Sequence, residues 1–499
     1  MSKCKKVCTV VSVMFVITAC ILFSGCTDKT DEVRTYSWSE AVSYEAEEGT
    51  LSGTVYIDTQ MSGYSGEGYV DGFENEEDSV TVEIQIDETG FYDLNFISAS
   101  DGASYKENYI YVDGSLEGSV SIVSEEFSDS ILARVYLSKG THKVTISKFW
   151  GWIMFDKLMV KKSDELDPDM YVIDKELANE NADDCAKRLF SFLVDNYGNH
   201  IISGQRCDGM YGNENAAIWG CTGKYPALME MDMINYSLSM QELGKEAFVT
   251  DFATSYWNSG GIVELCWSWN VPTKYIVGDA ESAYLTDNTN IDLAKIISKE
   301  DQEGYDLLMD DIDAIADQLE ILRDNEVPVI WRPLYEAESG VYWWGSSGSE
   351  EYKELYNILY NELTVKRGLN NLIWVWNGMD EEWYPGDEYV DIIGWSVVSE
   401  PFVYTSQADV FLQAAACSEE HKMVVLSSNT TLFNPDLAFR DGTVWGYFCT
   451  QGGEYVLQSE GDNMYSEAYT EIYMLQRVYS DERIISRNEL PNLKEYSLK

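Results

Sequence analysis

A chain of 499 residues is too long for one ordinary domain and points to two or three. Its formal charge of −52 excludes nucleic acid and anionic membrane surfaces as close partners, while a neutral polymer is not repelled. Aromatics at 13%, with 15 Trp and 34 Tyr, exceed what a core requires. Carbohydrate binding is one common use of that surplus; a large core under an acidic surface accounts for the charge well and for the Trp count less well.

Residues 1–26 read as an address. Lys3, Lys5 and Lys6 precede an apolar run from Val7 to Phe23, and Ser24-Gly25-Cys26 supplies small residues before a cysteine. This resembles a bacterial lipoprotein signal, with Phe23 where Leu is usual. The resemblance implies that Cys26 carries the lipid and that residues 27–40 act as a tether. The expected location is extracytoplasmic, with membrane contact through the lipid anchor only, because the apolar run is short for a spanning helix. The wide spacing of Cys185, Cys207, Cys221, Cys266, Cys417 and Cys449 shows no metal pattern. Buried free thiols are expected, with a Cys207–Cys221 bridge left open.

Residues 41–162 read as all-β. Alternating runs at Val80–Ile86, Tyr92–Ile97, Tyr109–Val112, Ala133–Leu137, His142–Ile146 and Ile153–Val160 are separated by turn signals such as Asp113-Gly114 and Lys139-Gly140. The spacing fits a β-sandwich of jelly-roll type. The words YEAEEG (44–49), SGYSGEGYVDGF (62–73) and WGWIMFDKLMV (150–160) resemble a carbohydrate-binding module of family 35 or the related family 6. That resemblance implies a structural Ca²⁺ held by Glu45, Glu47 and Asp156, with hard oxygen ligands suited to the ion. It leaves Tyr64, Tyr69, Asn108, Trp150 and Trp152 as candidates to face sugar. The alternative is that these rings only close the edge of the sandwich.

Residues 163–181, charged and carrying Asp167-Pro168, read as a linker. From 182 to 490 the pattern changes to eight apolar runs: Ile201–Gln205, Pro226–Asp232, Ile262–Asn270, Val327–Glu336, Leu372–Asn377, Asp391–Val397, Met423–Asn429 and Thr443–Cys449. Helical segments such as Ala182–Tyr197, Tyr305–Asn325, Glu351–Lys366 and Asp409–His421 fall between them. The alternation predicts a (β/α)8 TIM barrel, whose chemistry belongs at the carboxyl ends of the strands. Those ends are rich in Trp, Asn and Ser. No glycine-rich loop suggests a nucleotide site.

The stretch WRPLYEAESGVYWWG (331–345) organises the barrel. It sets Arg332, Glu336 and Glu338 among Tyr335, Tyr342, Trp343 and Trp344 at the end of a buried run. Flat rings for pyranose faces beside an acid with apolar neighbours are what glycoside cleavage needs. An aromatic loop capping a core with solvated carboxylates is the plainer alternative. Together with IISGQ (201–205), TGKYPALMEMDMINYS (222–237), WNSGGIVELCWSWNVP (257–272), NNLIWVWN (370–377), WYPGDEYVDIIG (383–394), LSSNTTLFNPD (426–436) and DGTVWGYF (441–448), this stretch resembles glycoside hydrolase family 26. The typical members of that family are endo-β-1,4-mannanases.

The resemblance implies β-mannan or a related plant polysaccharide as partner and no cofactor for catalysis. Glu336 falls at the acid/base position. Arg332, Tyr335, Trp267, Ser268, Trp269, Asn270, Trp343, Trp344, Trp376 and Trp445 would bind substrate. Retaining hydrolysis also needs a nucleophilic carboxylate, and ungapped alignment places Ser428 there; a neutral hydroxyl neither stabilises an oxocarbenium-like transition state nor leaves readily. Histidines are expected at the positions of Tyr335 and Ser268, and polar residues where Trp395-Ser396-Val397 follow the sixth strand. The leading expectation is a surface-anchored glycan-binding protein with impaired or lost hydrolysis. The alternative is an active β-glycan hydrolase using Glu336 with Glu338, Asp380 or Glu230, where a separation of about 6.5–9.5 Å would predict inversion. A purely structural surface protein is the third reading.

Overall fold

The computed structural model describes residues 37–499 apart from 101, 103–105, 123, 208–211, 419, 460–462 and 499. The signal and most of the tether therefore lie outside the described residues. The first domain is built from β1 (Val42–Glu45), β2 (Thr50–Ser52), β3 (Tyr56–Asp58), β4 (Tyr69–Asp71), β5 (Ser79–Ile86), β6 (Gly90–Ser100), β7 (Lys106–Val112), β8 (Ser115–Ile122), β9 (Ile131–Leu137), β10 (Gly140–Lys148) and β11 (Ile153–Lys162). One sheet runs β3-β4-β11-β6-β9 with β1 also on β11, and the other runs β2-β5-β10-β7-β8. Alternation builds the core directly: in β5, Val80, Val82, Ile84 and Ile86 are buried while the residues between them face outward. They meet Leu94, Phe96, Phe155 and Leu158 of the opposite sheet. Asp113 and Gly114 both take positive φ (51° and 87°), the backbone of a tight hairpin turn, and join β7 to β8.

The second domain is an eight-stranded parallel barrel. Its strands are β12 (Ile201–Arg206), β13 (Leu228–Asp232), β14 (Ile262–Trp267), β15 (Val329–Pro333), β16 (Leu372–Asn377), β17 (Ile392–Val397), β18 (Met423–Asn429) and β19 (Tyr447–Thr450). β19 closes on β12, and β20 (Ile484–Ile485) adds in parallel outside β12. Strands covered on both faces read as continuous apolar runs; β14 and β16 are buried at every residue. The helix Gln302–Asp324 shows how the outer layer forms. Asp301 caps it by accepting from the Gly304 amide (2.9 Å), and Leu308, Ile312, Ile315, Leu319 and Leu322 place one apolar stripe against the strands.

The predicted linker is not a free tether. Leu177 is buried, the Ala178 amide donates to Asp391 (2.6 Å), and the Tyr171 hydroxyl donates to the Gly442 carbonyl (2.6 Å). β9 packs on the barrel helix Ala408–Ala415, and Arg134, just inside it, donates to the Asp441 carbonyl (2.9 Å). All six cysteines of the described residues are free thiols, so no Cys207–Cys221 bridge forms.

Candidate active site

β15 carries its chemistry at its carboxyl end. Leu334 and Glu336 both hold left-handed backbone (φ 50° and 52°), which costs a residue with a Cβ about 1–2 kcal/mol each. Two such residues around Tyr335 turn the chain sharply, so that Tyr335 and Glu336 face the mouth from adjacent positions. The turn is braced. The Glu336 amide donates to the Asn377 carbonyl (2.8 Å), and residues 337 and 345 approach so closely that a Cβ on Gly345 would lie 1.8 Å from the Ala337 oxygen. The Ser396 hydroxyl donates to Glu336 Oε1 (2.5 Å). A register shift that leaves Ser427 of β18 as the extra residue places Ser396 directly beside Ser428. Glu336, Ser396 and Ser428 therefore form one row across three strand ends. Ser428 is 7% exposed, and its Oγ accepts from the Gln451 amide nitrogen (2.5 Å). A hydroxyl and a carboxamide thus stand where a second carboxyl is expected.

A second chain of contacts crosses the other side of the mouth. The Tyr335 hydroxyl lies 2.6 Å from Ser268 Oγ, Ser268 donates through both its hydroxyl and its amide to Asp232, and Arg206 pairs with the same carboxylate (3.1 Å). Burial, then the charge of Asp232, pushes the Tyr335 phenol well above its ordinary pKa, so it stays protonated. The two positions where histidines are expected are thus in direct contact.

Beneath the mouth lies a buried ionic floor. Arg332 bonds Glu230 (2.7 Å), Glu264 (3.1 Å) and the Asn377 side-chain oxygen (2.8 Å), Arg206 adds a second pair to Glu230 (3.0 Å), and Tyr447 donates to Glu264 (3.0 Å). Burial pushes Glu230 up, but Arg332 and Arg206 outweigh it and the net shift is downward. In Glu264 burial prevails over Arg332, Glu230 adds to it, and the shift is upward. Glu230, Glu264 and Cys449 have ligand atoms close enough to share a metal, yet two guanidiniums already neutralise the group.

The sugar-facing assignments require correction. Trp267, Trp269, Trp343, Trp344, Trp376, Trp445, Arg332 and Asn270 are all buried, because their polar atoms belong to the scaffold or their rings pack within it. The Trp267 indole donates to Ser237, Trp269 to Asp311, Trp343 to the Trp269 carbonyl and Trp344 to the Tyr335 carbonyl. Asn270 donates to Ser239 and the Ala280 carbonyl. Trp376 and Trp445 pack edge-on against Tyr384 and Phe411. The partly exposed rings are Tyr342, parallel to Trp344 at 4.8 Å, and Tyr284, stacked on Tyr342. Tyr284 lies in the loop after β14, joined to the 331–345 stretch by the Thr286 amide on the Val341 carbonyl. The Trp343 amide on the Tyr284 carbonyl (3.2 Å) and the Thr286 hydroxyl on the Gly340 carbonyl (2.9 Å) complete that tertiary pairing, which brings Tyr284 to the mouth.

Among the alternative carboxyls, Glu230 lies in the floor and Asp380 caps a short helix through the Glu382 amide (3.0 Å). Glu338 accepts from the Met379 amide (2.7 Å), and burial pushes it up to about 7. Asp232, not singled out in the sequence, is a carboxylate at the mouth.

In the sandwich, Tyr69 and Asn108 are buried and cannot face sugar. Asn108 instead accepts from the Phe149 amide (3.3 Å), holding the loop on which Trp150 and Trp152 stand exposed. Tyr64 is partly exposed and leans on Tyr69. Asp156 sits at a bulge in β11 that turns it inward. There it accepts from the Ser65 amide (2.7 Å), while Glu45 accepts from the Ser65 hydroxyl (2.7 Å) and Glu47 from the Glu67 amide (2.6 Å).

Comparison with known proteins agrees with this architecture. Residues 178–489 match the family model "Glycosyl hydrolase family 26" and residues 42–163 match "Carbohydrate binding module (family 35)". A mannan endo-1,4-beta-mannosidase of Thermothelomyces thermophilus is 35% identical over 444 residues, 88% of this chain and 90% of that protein. Mannan endo-1,4-beta-mannosidase B of Piromyces sp is 31% identical over 470 residues, 91% of this chain and 78% of its own length. The crystal structure of a Podospora anserina GH26-CBM35 beta-(1,4)-mannanase superposes with a TM-score of 0.64 at 33% identity, covering 91% of this chain and 99% of that one. With the barrel matched along its length and the sandwich matched ahead of it, the chain belongs to glycosyl hydrolase family 26 and carries a family 35 carbohydrate binding module.

Proposed function

We propose that this protein captures β-1,4-mannan or a related β-glycan in the barrel mouth without ordinary retaining hydrolysis. The observation that carries the reading is the Ser428–Gln451 pair in the row that begins at Glu336. Double displacement needs carboxyls about 5–5.5 Å apart, one of them a charged nucleophile, and a serine hydroxyl bonded to a carboxamide supplies no charge. What remains suits binding: neutral hydrogen-bonding groups at Ser396, Ser428 and Gln451, and the partly exposed rings of Tyr284 and Tyr342. Mannan as the glycan is supported by the relatives, which are mannan endo-1,4-beta-mannosidases and a beta-(1,4)-mannanase.

A second reading, an active endo-β-mannanase, is favoured by the identity to named mannosidases and by the intact, braced Glu336. Glu338 and Asp232 are its available second carboxyls. Reducing-end release from soluble mannan and glucomannan separates the two readings. No release, with retention on insoluble mannan, supports capture; release that disappears in Glu336→Gln establishes the hydrolase.

Two further features belong to the proposal. Glu45, Glu47 and Asp156 gather around residues 65–67, and Glu47 keeps one buried oxygen without a protein partner, a donor set that fits a structural Ca²⁺. The basic start, the apolar run and Cys26 support lipid anchoring outside the cytoplasm. Metabolic labelling with a fatty acid, lost in Cys26→Ala, tests that placement.

A further inference from the structure

We infer that the barrel mouth and the exposed aromatic edge of the sandwich form one track, so that a single long, neutral β-glycan bound beside Glu336 continues onto Trp150 and Trp152. The inference rests on the reading of the mouth as a glycan cleft. The connection is short. Thr431, three residues beyond Ser428, donates to the Glu400 carbonyl (3.1 Å), and the Glu400 carboxylate accepts from the Tyr109 hydroxyl of β7 (2.8 Å). Phe149 stacks on the Tyr109 ring with centroids 4.4 Å apart, and Trp150 follows directly, its amide donating to the Glu107 carbonyl. Three residues of chain, two hydrogen bonds and one ring stack therefore join the nucleophile position to the sandwich loop.

Exposed apolar side chains stand along this path in a protein that carries −52 overall, beside the Glu400 carboxylate and the Lys106 ammonium, which lies 5.0 Å from the Trp152 ring centroid. Val398 and Phe402, in the loop that also holds Glu400, are 86% and 50% exposed; Trp150 and Trp152 across the junction are 63% and 55% exposed. Phe402 and Trp152 both take left-handed backbone (φ 67° and 59°), a strained way to present a large side chain outward. Rings on a surface otherwise dominated by acids suit a ligand with flat apolar faces and no charge. The same surface would repel an acidic one.

The test is calorimetric titration of the full chain with soluble glucomannan and with mannotriose, which is too short to bridge the junction. In Trp150→Ala/Trp152→Ala and separately in Phe402→Ala, glucomannan affinity is expected to fall about ten-fold, and mannotriose, which occupies one end of the track at a time, is expected to lose less. Tyr109→Phe, which removes only the bond to Glu400, is expected to cost glucomannan a few-fold. These positions are exposed or conservatively changed, so an unchanged melting temperature confirms folding. Two separate sites on one chain would leave Phe402→Ala without effect, and that result overturns the track. Undiminished glucomannan binding by the double variant, or equal losses for both ligands, overturns it too. A wild-type chain that binds neither ligand defeats the underlying reading of the cleft, a different outcome from wild-type binding that the variants match.

Discussion

Removing Arg332 tests the ionic floor that supports the mouth. In Arg332→Met the aliphatic bulk is largely kept, but bonds to Glu230 (2.7 Å), Glu264 (3.1 Å) and Asn377 (2.8 Å) vanish together. Glu230 is left with Arg206, and Glu264 with the Tyr447 hydroxyl. Breaking a buried pair by deleting one partner typically costs about 3–5 kcal/mol, because a charge is stranded out of water. For a barrel of this size that is a fall in melting temperature of about 5–8 °C. The deficit depends on pH with a definite sign. With both arginines present, Glu230 sits below its ordinary value, so its stabilisation is present above the unfolded carboxyl pKa and is lost as pH falls through the folded one. Without Arg332, only Arg206 and the neighbouring thiols oppose burial at Glu230, and the group ionises less readily. The deficit should therefore be largest at neutral pH and shrink below about pH 4.5, where unfolded glutamates are protonated. Differential scanning calorimetry from pH 4 to 8 measures it. A variant within about 1 kcal/mol of wild type at pH 7, or a deficit independent of pH, would refute the argument, as would failure of Glu230→Gln/Arg332→Met/Glu264→Gln to regain stability.

Ser428→Glu places a carboxylate in the row with Glu336 and Ser396, where Gln451 can donate to it. Reducing-end release from glucomannan should rise above the wild-type level, at a stability cost of about 1–3 kcal/mol for enlarging a buried site, and a folded variant with unchanged release counts against the assigned position. Chelation should lower the melting temperature of the sandwich by several degrees, reversed by added Ca²⁺, if Glu45, Glu47 and Asp156 hold the ion; an unchanged transition removes the assignment. Glu338 is raised to about 7, so the folded chain holds a proton there that the unfolded chain loses near its ordinary pKa. Stability should fall as pH rises from about 4.5 to 7, Glu338→Gln should flatten that slope, and parallel stability profiles would contradict it.

The barrel was legible because its strands are buried on both faces. β16 and β18 coincide with the apolar runs Leu372–Asn377 and Met423–Asn429, and the helix Gln302–Asp324 begins three residues before the predicted segment because Asp301 caps it. The short strands β1 to β4 and the polar, glycine-containing β8 carry no comparable alternation, and tertiary pairing alone makes them strands. At the site, the family resemblance pointed to Glu336 and Ser428 but not to which rings meet solvent. A tryptophan at a strand end looks the same whether its indole reaches a sugar or, as in Trp343, a buried carbonyl. Gln451 lies two residues past the predicted end of the eighth strand, and its pairing with Ser428 arises from the closing of β18 against β19.

The departures from the family pattern are coordinated. Ser268 and Tyr335 stand where two histidines are expected, and they touch each other; Ser428 stands where a carboxylate is expected, and Gln451 bonds it. Ser396, in the altered sixth strand, bonds both Glu336 and Asn377. A pocket losing catalysis by unrelated changes would be expected to strand polar atoms, since a buried donor or acceptor without a partner costs about 1–3 kcal/mol. Each of these four replacements instead has a bonded partner, and each keeps a neutral group that both donates and accepts. Sugar hydroxyls also donate and accept, so such groups can hold a neutral glycan without charge. The strained backbone at Leu334 and Glu336 points the same way. Such strain clusters at ligand sites, and on the proposed reading it aims Glu336 at the bound glycan, where the carboxyl either protonates a leaving group or accepts a hydroxyl.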